Sequence, residues 1–321
     1  MRRGSWHHRC TAGARGTRSM SMLSRQCLLL LAATTLTAQA ATTVRLPAWV
    51  CARPDALFID GFEGGNAVVR LPSGGSGGAL GNVTRTLTVP AWGTRTVHAY
   101  VPPDHSPTQP MPLVLALHGQ AGSPAAADAQ AQAVRNAWAA VAATRGFIVI
   151  APVASGAGGS WIVPDVPDQP SDYSTFATAI ADAESAWNID RSRRIGWGFS
   201  AGGHVIHDLV LNHYSTQVTI DHFAAHAVSA GALAGLACSG MSGAQCDALV
   251  AAASRRIPVD FHVGTSDPLF AQTLADSERF LAAGWQEGVN LWFTPFPGGH
   301  TYASVQLEQI WTNLCPFQVL P

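Results

Sequence analysis

The chain has 321 residues, 47% of them apolar and only 12% charged, about half the usual charged share of ~25%. That composition excludes a disordered chain, a coiled coil and a collagen-like repeat, and the length fits two domains or one large α/β domain. Six of the 19 basic residues and none of the 20 acidic ones precede residue 41, so the near-neutral total hides a body of charge −7, which argues against nucleic acid or an anionic membrane as partner.

Residues 1–40 read as a secretory signal peptide. Arg25 supplies the cationic start, Cys27 to Leu36 an apolar run too short to span a bilayer, and Ala38-Gln39-Ala40 a small-x-small cleavage site. Met20 and Met22 are alternative starts. Cys27 follows Ser-Arg-Gln, so no lipoprotein anchor is expected, and the predicted location is secreted or periplasmic. Removal of the leader leaves Cys51, Cys238, Cys246 and Cys315. In an oxidising compartment four thiols suggest two disulfides with three possible pairings. The short Gly/Ser-containing spacing favours Cys238 with Cys246, leaving Cys51 for Cys315. No Cys-x-x-Cys or Cys/His spacing supports zinc instead.

Residues 41–81 are expected to be an amino-terminal segment that includes the acidic-aromatic stretch Phe58–Glu63 and ends in a flexible linker, Pro72–Gly78. A catalytic domain is placed at 82–321. Strands are predicted at Thr84–Val89, Arg95–Val101, Pro112–Leu117, Phe147–Ala151, Arg194–Gly198, Phe223–Val228, Val259–Gly264 and Asn290–Pro295. Helices are predicted at Ala125–Thr144, Ser174–Trp187, Ala201–His213, Phe270–Ala283 and Tyr302–Asn313. This alternation implies an α/β fold, a mostly parallel sheet with helices on both faces, with its chemistry at the carboxyl ends of the strands.

Two Gly-x-Ser-x-Gly strings occur. Gly74–Gly78 lies in the linker without a strand before it, an accident of composition. Gly198-Phe199-Ser200-Ala201-Gly202 stands between a strand and a helix, the context in which a serine sits on a sharp turn and projects from the sheet. A serine nucleophile needs a base held by a carboxylate. His300, in the late loop Pro297–Tyr302, is the candidate base. Asp267, after the strand Val259–Gly264, is the candidate acid, ahead of Asp260, Asp276 and Asp247. The oxyanion donors are expected at the backbone of Ala201 and of Gln120, with Gly119 as the alternate. His118 reads as a locally bonded packing residue. His204, His207 and Asp208 share a helix but lack a third convergent ligand, so no metal site is assigned there. The loop Ser155–Ser171 is read as a pocket wall carrying Trp161, or as a solvated loop anchored by that residue.

Leu117-His118-Gly119, Asp190-Arg191, Ile195 through Gly203, His262-Val263-Gly264 to Asp267 and Gly298-Gly299-His300 together resemble the poly(3-hydroxybutyrate) depolymerase-like esterases. That group is related to feruloyl and acetyl-xylan esterases. The resemblance covers about residues 85–313. It implies an α/β-hydrolase fold, with Ser200, Asp267 and His300 as nucleophile, acid and base, and an acyl-enzyme mechanism without metal or organic cofactor. Gln120 stands where the family more usually has Cys or Ser, and Tyr302 where relatives often carry Trp. Both border the substrate site. The expected partner is an ester substrate: a hydroxyalkanoate polyester or its oligomers, with plant-wall feruloyl or acetyl esters, or a peptide, as alternatives. The remaining alternative is a binding protein on a hydrolase scaffold. No separate polymer-binding module is visible, which favours soluble oligomers.

Overall fold

A computed structural model describes residues 41–51 and 69–320. The leader and Phe58–Glu63 lie outside the described residues. One eight-stranded sheet organises the chain. It begins with β2 (Gly81–Val89) and β3 (Gly93–Val101), an antiparallel pair, and β3 runs antiparallel to β5 (Ile148–Pro152). From there the sheet is parallel through β4 (Met111–Leu117), β6 (Ile189–Phe199), β7 (Ala225–Ser229), β8 (Val259–Gly264) and β9 (Leu291–Phe296). Every residue of β4, β5, β7 and β8 is buried, as a sheet covered on both faces requires. The low charged fraction follows from this architecture.

The covering helices form two apolar layers. Trp138 of α1 (Pro124–Arg145) and Leu307, Ile310 and Trp311 of α6 (Ser304–Leu314) pack on one face. The other face takes Phe176 of α2 (Asp172–Ala186), Ile206 of α3 (Ala201–Leu211), Val250 of α4 (Gly243–Ala251) and Phe280 of α5 (Phe270–Ala282). Local chemistry sets the helix ends. Ser123 caps α1 by accepting the Ala126 N–H, Pro124 occupies its first turn, and Gly146 closes it in the left-handed conformation at φ 72°.

The structure corrects the flexible linker. Ser73 exchanges hydrogen bonds with Ile189 and Trp187, and the N–H of Gly78 donates to Ala186 O at 2.9 Å. A Cβ on Gly78 would lie 2.0 Å from Trp187 Nε1. The glycines here permit close approach to a buried tryptophan, a use that composition does not distinguish from flexibility. The described part of the amino-terminal segment also joins the body. Thr42–Arg45 (β1) pairs antiparallel with Phe317–Leu320 (β10), and a Cys51–Cys315 disulfide closes beside it. The second disulfide joins Cys238 and Cys246, the latter on α4, a helix that the Gly/Ser-rich sequence did not suggest.

Candidate active site

The turn from β6 into α3 carries Ser200, whose backbone sits at φ 51°, ψ −118°. That conformation costs a non-glycine residue about 1–3 kcal/mol. It is held by the Ser200 N–H donating to Ser229 O at 2.9 Å and by Ser200 O accepting from the His204 N–H at 3.1 Å. The turn closes only because Gly202 has no side chain: a Cβ there would lie 2.4 Å from Leu117 O.

Two further loops meet this turn. Asp267 follows β8, is 5% exposed, and accepts the Leu269 N–H through Oδ1 at 2.8 Å. His300 follows β9. Its loop is tied to the aspartate loop by Ser266 N–H to Gly298 O and Thr265 N–H to Phe296 O, each 2.8 Å. His300 Nδ1 lies 2.9 Å from Asp267 Oδ2, and His300 Nε2 lies 2.8 Å from Ser200 Oγ. An ionised carboxylate can only accept, so Nδ1 carries the proton and Nε2 is free to accept from the serine hydroxyl. Such a chain can move the serine proton to the imidazole as the oxygen attacks an electrophile.

The other acidic candidates are engaged elsewhere. Asp260 accepts from Asn313 Nδ2 at 2.8 Å and lies 3.0 Å from His262 Nε2. Asp276 accepts the Leu233 N–H, and Asp247 pairs with Arg279.

A cavity of about 190 Å³ opens beside Ser200 and His300. Gly119 and Gln120 border it on the loop after β4; among the described residues no hydrogen bond engages the backbone N–H of Gln120 or Ala201. Phe199 and Tyr302 border it on the histidine side, with Tyr302 packed edge-on against Trp197 and Phe199. Burial pushes the Tyr302 phenol above its ordinary pKa. Gln130, Ala133 and Val134 of α1 complete the lining. Sequence reading missed these three and Phe199. Phe199 had a signal in its position next to Ser200, whereas the α1 residues lie in an Ala-rich helix whose pattern does not reveal which face meets the cavity.

Trp161 is not part of the cavity lining, which corrects its expected substrate contact. It is buried against His118 and Phe176, and its Nε1–H donates to His118 O at 2.8 Å. A large ring with one polar atom gains more from the apolar core than from a wet wall. His118 is also buried. Its Nδ1 bonds Gly119 O at 2.7 Å and its Nε2 accepts from the Ala154 N–H at 3.1 Å. Burial holds its pKa below the ordinary value, so the neutral ring braces the Gly119–Gln120 loop from behind. Asp172 pins the far loop by accepting the Ser155 and Ile162 N–H groups.

The histidines of α3 diverge. His204 bonds the Ala232 backbone, His207 enters the apolar core against Phe261 and Phe280, and Asp208 accepts from the Tyr173 hydroxyl.

The strand order, the serine at a strand-to-helix turn and the helices on both faces define the α/β-hydrolase fold. The sequence matches no known family model and no curated protein. Solved structures with this fold include a ferulic acid esterase, 19% identical over 74% of this chain and all of that one, with a TM-score of 0.57. The feruloyl esterase module from Clostridium thermocellum, complexed with sinapinate, is 18% identical over 80% of this chain and 96% of its own, TM-score 0.53. S-formylglutathione hydrolase from Staphylococcus aureus is 14% identical over 73% and 96%, TM-score 0.50.

Proposed function

We propose that this protein is an exported serine carboxylic-ester hydrolase working through an acyl-enzyme. The observation that carries the reading is the hydrogen-bonded chain from Ser200 through His300 to Asp267 beside a cavity. His300 takes the Ser200 proton, the tetrahedral oxyanion is held by the N–H groups of Ala201 and Gln120, and the alcohol leaves with the proton from His300. Water then attacks the acyl-enzyme with His300 again as base. The two disulfides support an oxidising compartment and so the leader read over residues 1–40.

The preferred substrate is a hydroxyalkanoate oligomer or exposed polyester chain, as in the depolymerase-like esterases. A cavity of about 190 Å³, small against the ~300–1,000 Å³ of pockets for drug-sized ligands, supports a short acyl unit. The aromatic pair Phe199 and Tyr302 on the cavity wall supports the second reading, a feruloyl or related plant-wall ester. Hydrolysis of p-nitrophenyl butyrate by wild type and by Ser200→Ala tests the enzyme: equal rates in the two would reject it. Release of 3-hydroxybutyrate against ferulate from defined esters separates the substrates.

A further inference from the structure

We infer that the Gln120 side chain is a specificity-determining group that accepts a hydrogen bond from a hydroxyl on the bound ester. The inference rests on the esterase reading and deepens it. Gln120 lies on the loop after β4, lines the cavity and is solvent-exposed. Its Nε2 donates to Gly158 O at 2.7 Å. A backbone carbonyl can only accept, so this bond fixes which end of the carboxamide is nitrogen and which is oxygen. Oε1 is then the free end, and among the described residues no donor engages it.

The loop that carries this group is itself restrained. Gln120 O accepts from Gln130 Nε2 at 3.4 Å, and the Ala121 N–H donates to Gly159 O at 3.2 Å. The carboxamide is therefore tethered at its donor end, on a braced loop that lines the same cavity as Ser200. Among the described residues no Asp, Glu, Lys or Arg lines the cavity.

An acceptor held in place beside a neutral cavity discriminates by what the substrate offers. A hydroxyl satisfies Oε1. An ether or keto oxygen at the same position would face it lone pair to lone pair, and a carboxylate would do so with a charge and no cation opposite. Gln120 thus has two separable parts: a backbone N–H toward the oxyanion and a side chain toward the substituent. Replacing the side chain leaves the N–H in place.

The test compares kcat/KM for matched neutral esters in two arms. One places the group on the acyl chain, with p-nitrophenyl 3-hydroxybutanoate against 3-methoxybutanoate. The other places it on the alcohol, with 2-hydroxyethyl butanoate against 2-methoxyethyl butanoate. Wild type is expected to prefer the hydroxyl in one arm by about tenfold, the size of one well-placed hydrogen bond. Gln120→Met, of similar length and without the acceptor, is expected to bring that ratio close to one, with the change in KM. Hydrolysis without a hydroxyl preference in either arm, or a preference that survives in Gln120→Met, overturns the inference and leaves the esterase reading standing. Failure of wild type to hydrolyse any of the four esters overturns both.

Discussion

His300 Nε2 stands 2.8 Å from Ser200 Oγ, although the two residues are 100 positions apart in the chain. The pairing exists because β6 and β9 lie in one sheet and end on the same side, so the turn after one and the loop after the other meet. Two bonds from the loop after β8, one to the end of β9 and one to the loop after it, bring Asp267 to the other ring nitrogen.

The proposed mechanism makes the tautomer of His300 decisive. Asp267→Asn keeps the shape but offers the imidazole a donor as well as an acceptor, so Nε2 is no longer held as the free base. A loss of about 10³–10⁴ in kcat is expected, with folding intact by circular dichroism. Loss of less than tenfold would remove Asp267 from the proposed role.

Two buried histidines predict acid lability. His207 and His226 pack edge-to-face at 5.5 Å in the core, and no hydrogen bond reaches their ring nitrogens among the described residues. Burial lowers the His226 pKa from 6.5 to about 3 and holds His207 well below its ordinary value. The folded state resists protons that the unfolded chain accepts. The His226 contribution is therefore complete above pH 6.5 and is lost as pH falls toward 3, by about 1.4 kcal/mol per pH unit, and His207 acts in the same direction. His226→Leu should flatten that slope in urea titrations between pH 6 and 4; an unchanged slope would count against it.

Asp276 predicts the opposite trend. Burial raises its pKa from 3.8 to about 6, against the Leu233 N–H and Arg279, which favour the charged form. The folded state binds this proton more tightly than the unfolded chain, so the group costs stability as pH rises from about 4 to 6. Asp276→Asn keeps an oxygen for the Leu233 N–H and removes the charge. A gain of up to about 3 kcal/mol at pH 8, absent at pH 4, is expected from chemical denaturation. Equal or lower stability at pH 8 would refute it.

The two disulfides should differ in worth. Cys51–Cys315 spans 264 positions and Cys238–Cys246 spans 8. By loop-closure entropy the first contributes roughly 5.6 kcal/mol and the second about 2.5. Serine pairs at each position, compared by urea midpoint, should reproduce that order.

The sequence by itself determined the α/β class, the strand and helix succession and the residues worth testing. Those signals are local: apolar runs bounded by turn residues, a glycine-flanked serine between a strand and a helix, an aspartate and a histidine in loops after late strands. Tertiary structure decided which of the candidate loops converge and what faces the cavity. It decided between the two readings of Trp161, placing the ring in the core behind His118 and not on a pocket wall, and turned Pro72–Gly78 from a linker into a strap on Trp187. It also brought Gln130, Ala133 and Val134 of α1 to the cavity and paired Thr42–Arg45 with Phe317–Leu320 at the far end of the chain. Periodicity shows that a surface is apolar, and composition shows that a backbone is free to bend. Which neighbour that surface or backbone meets is set by packing between segments far apart in sequence, and no local pattern records it.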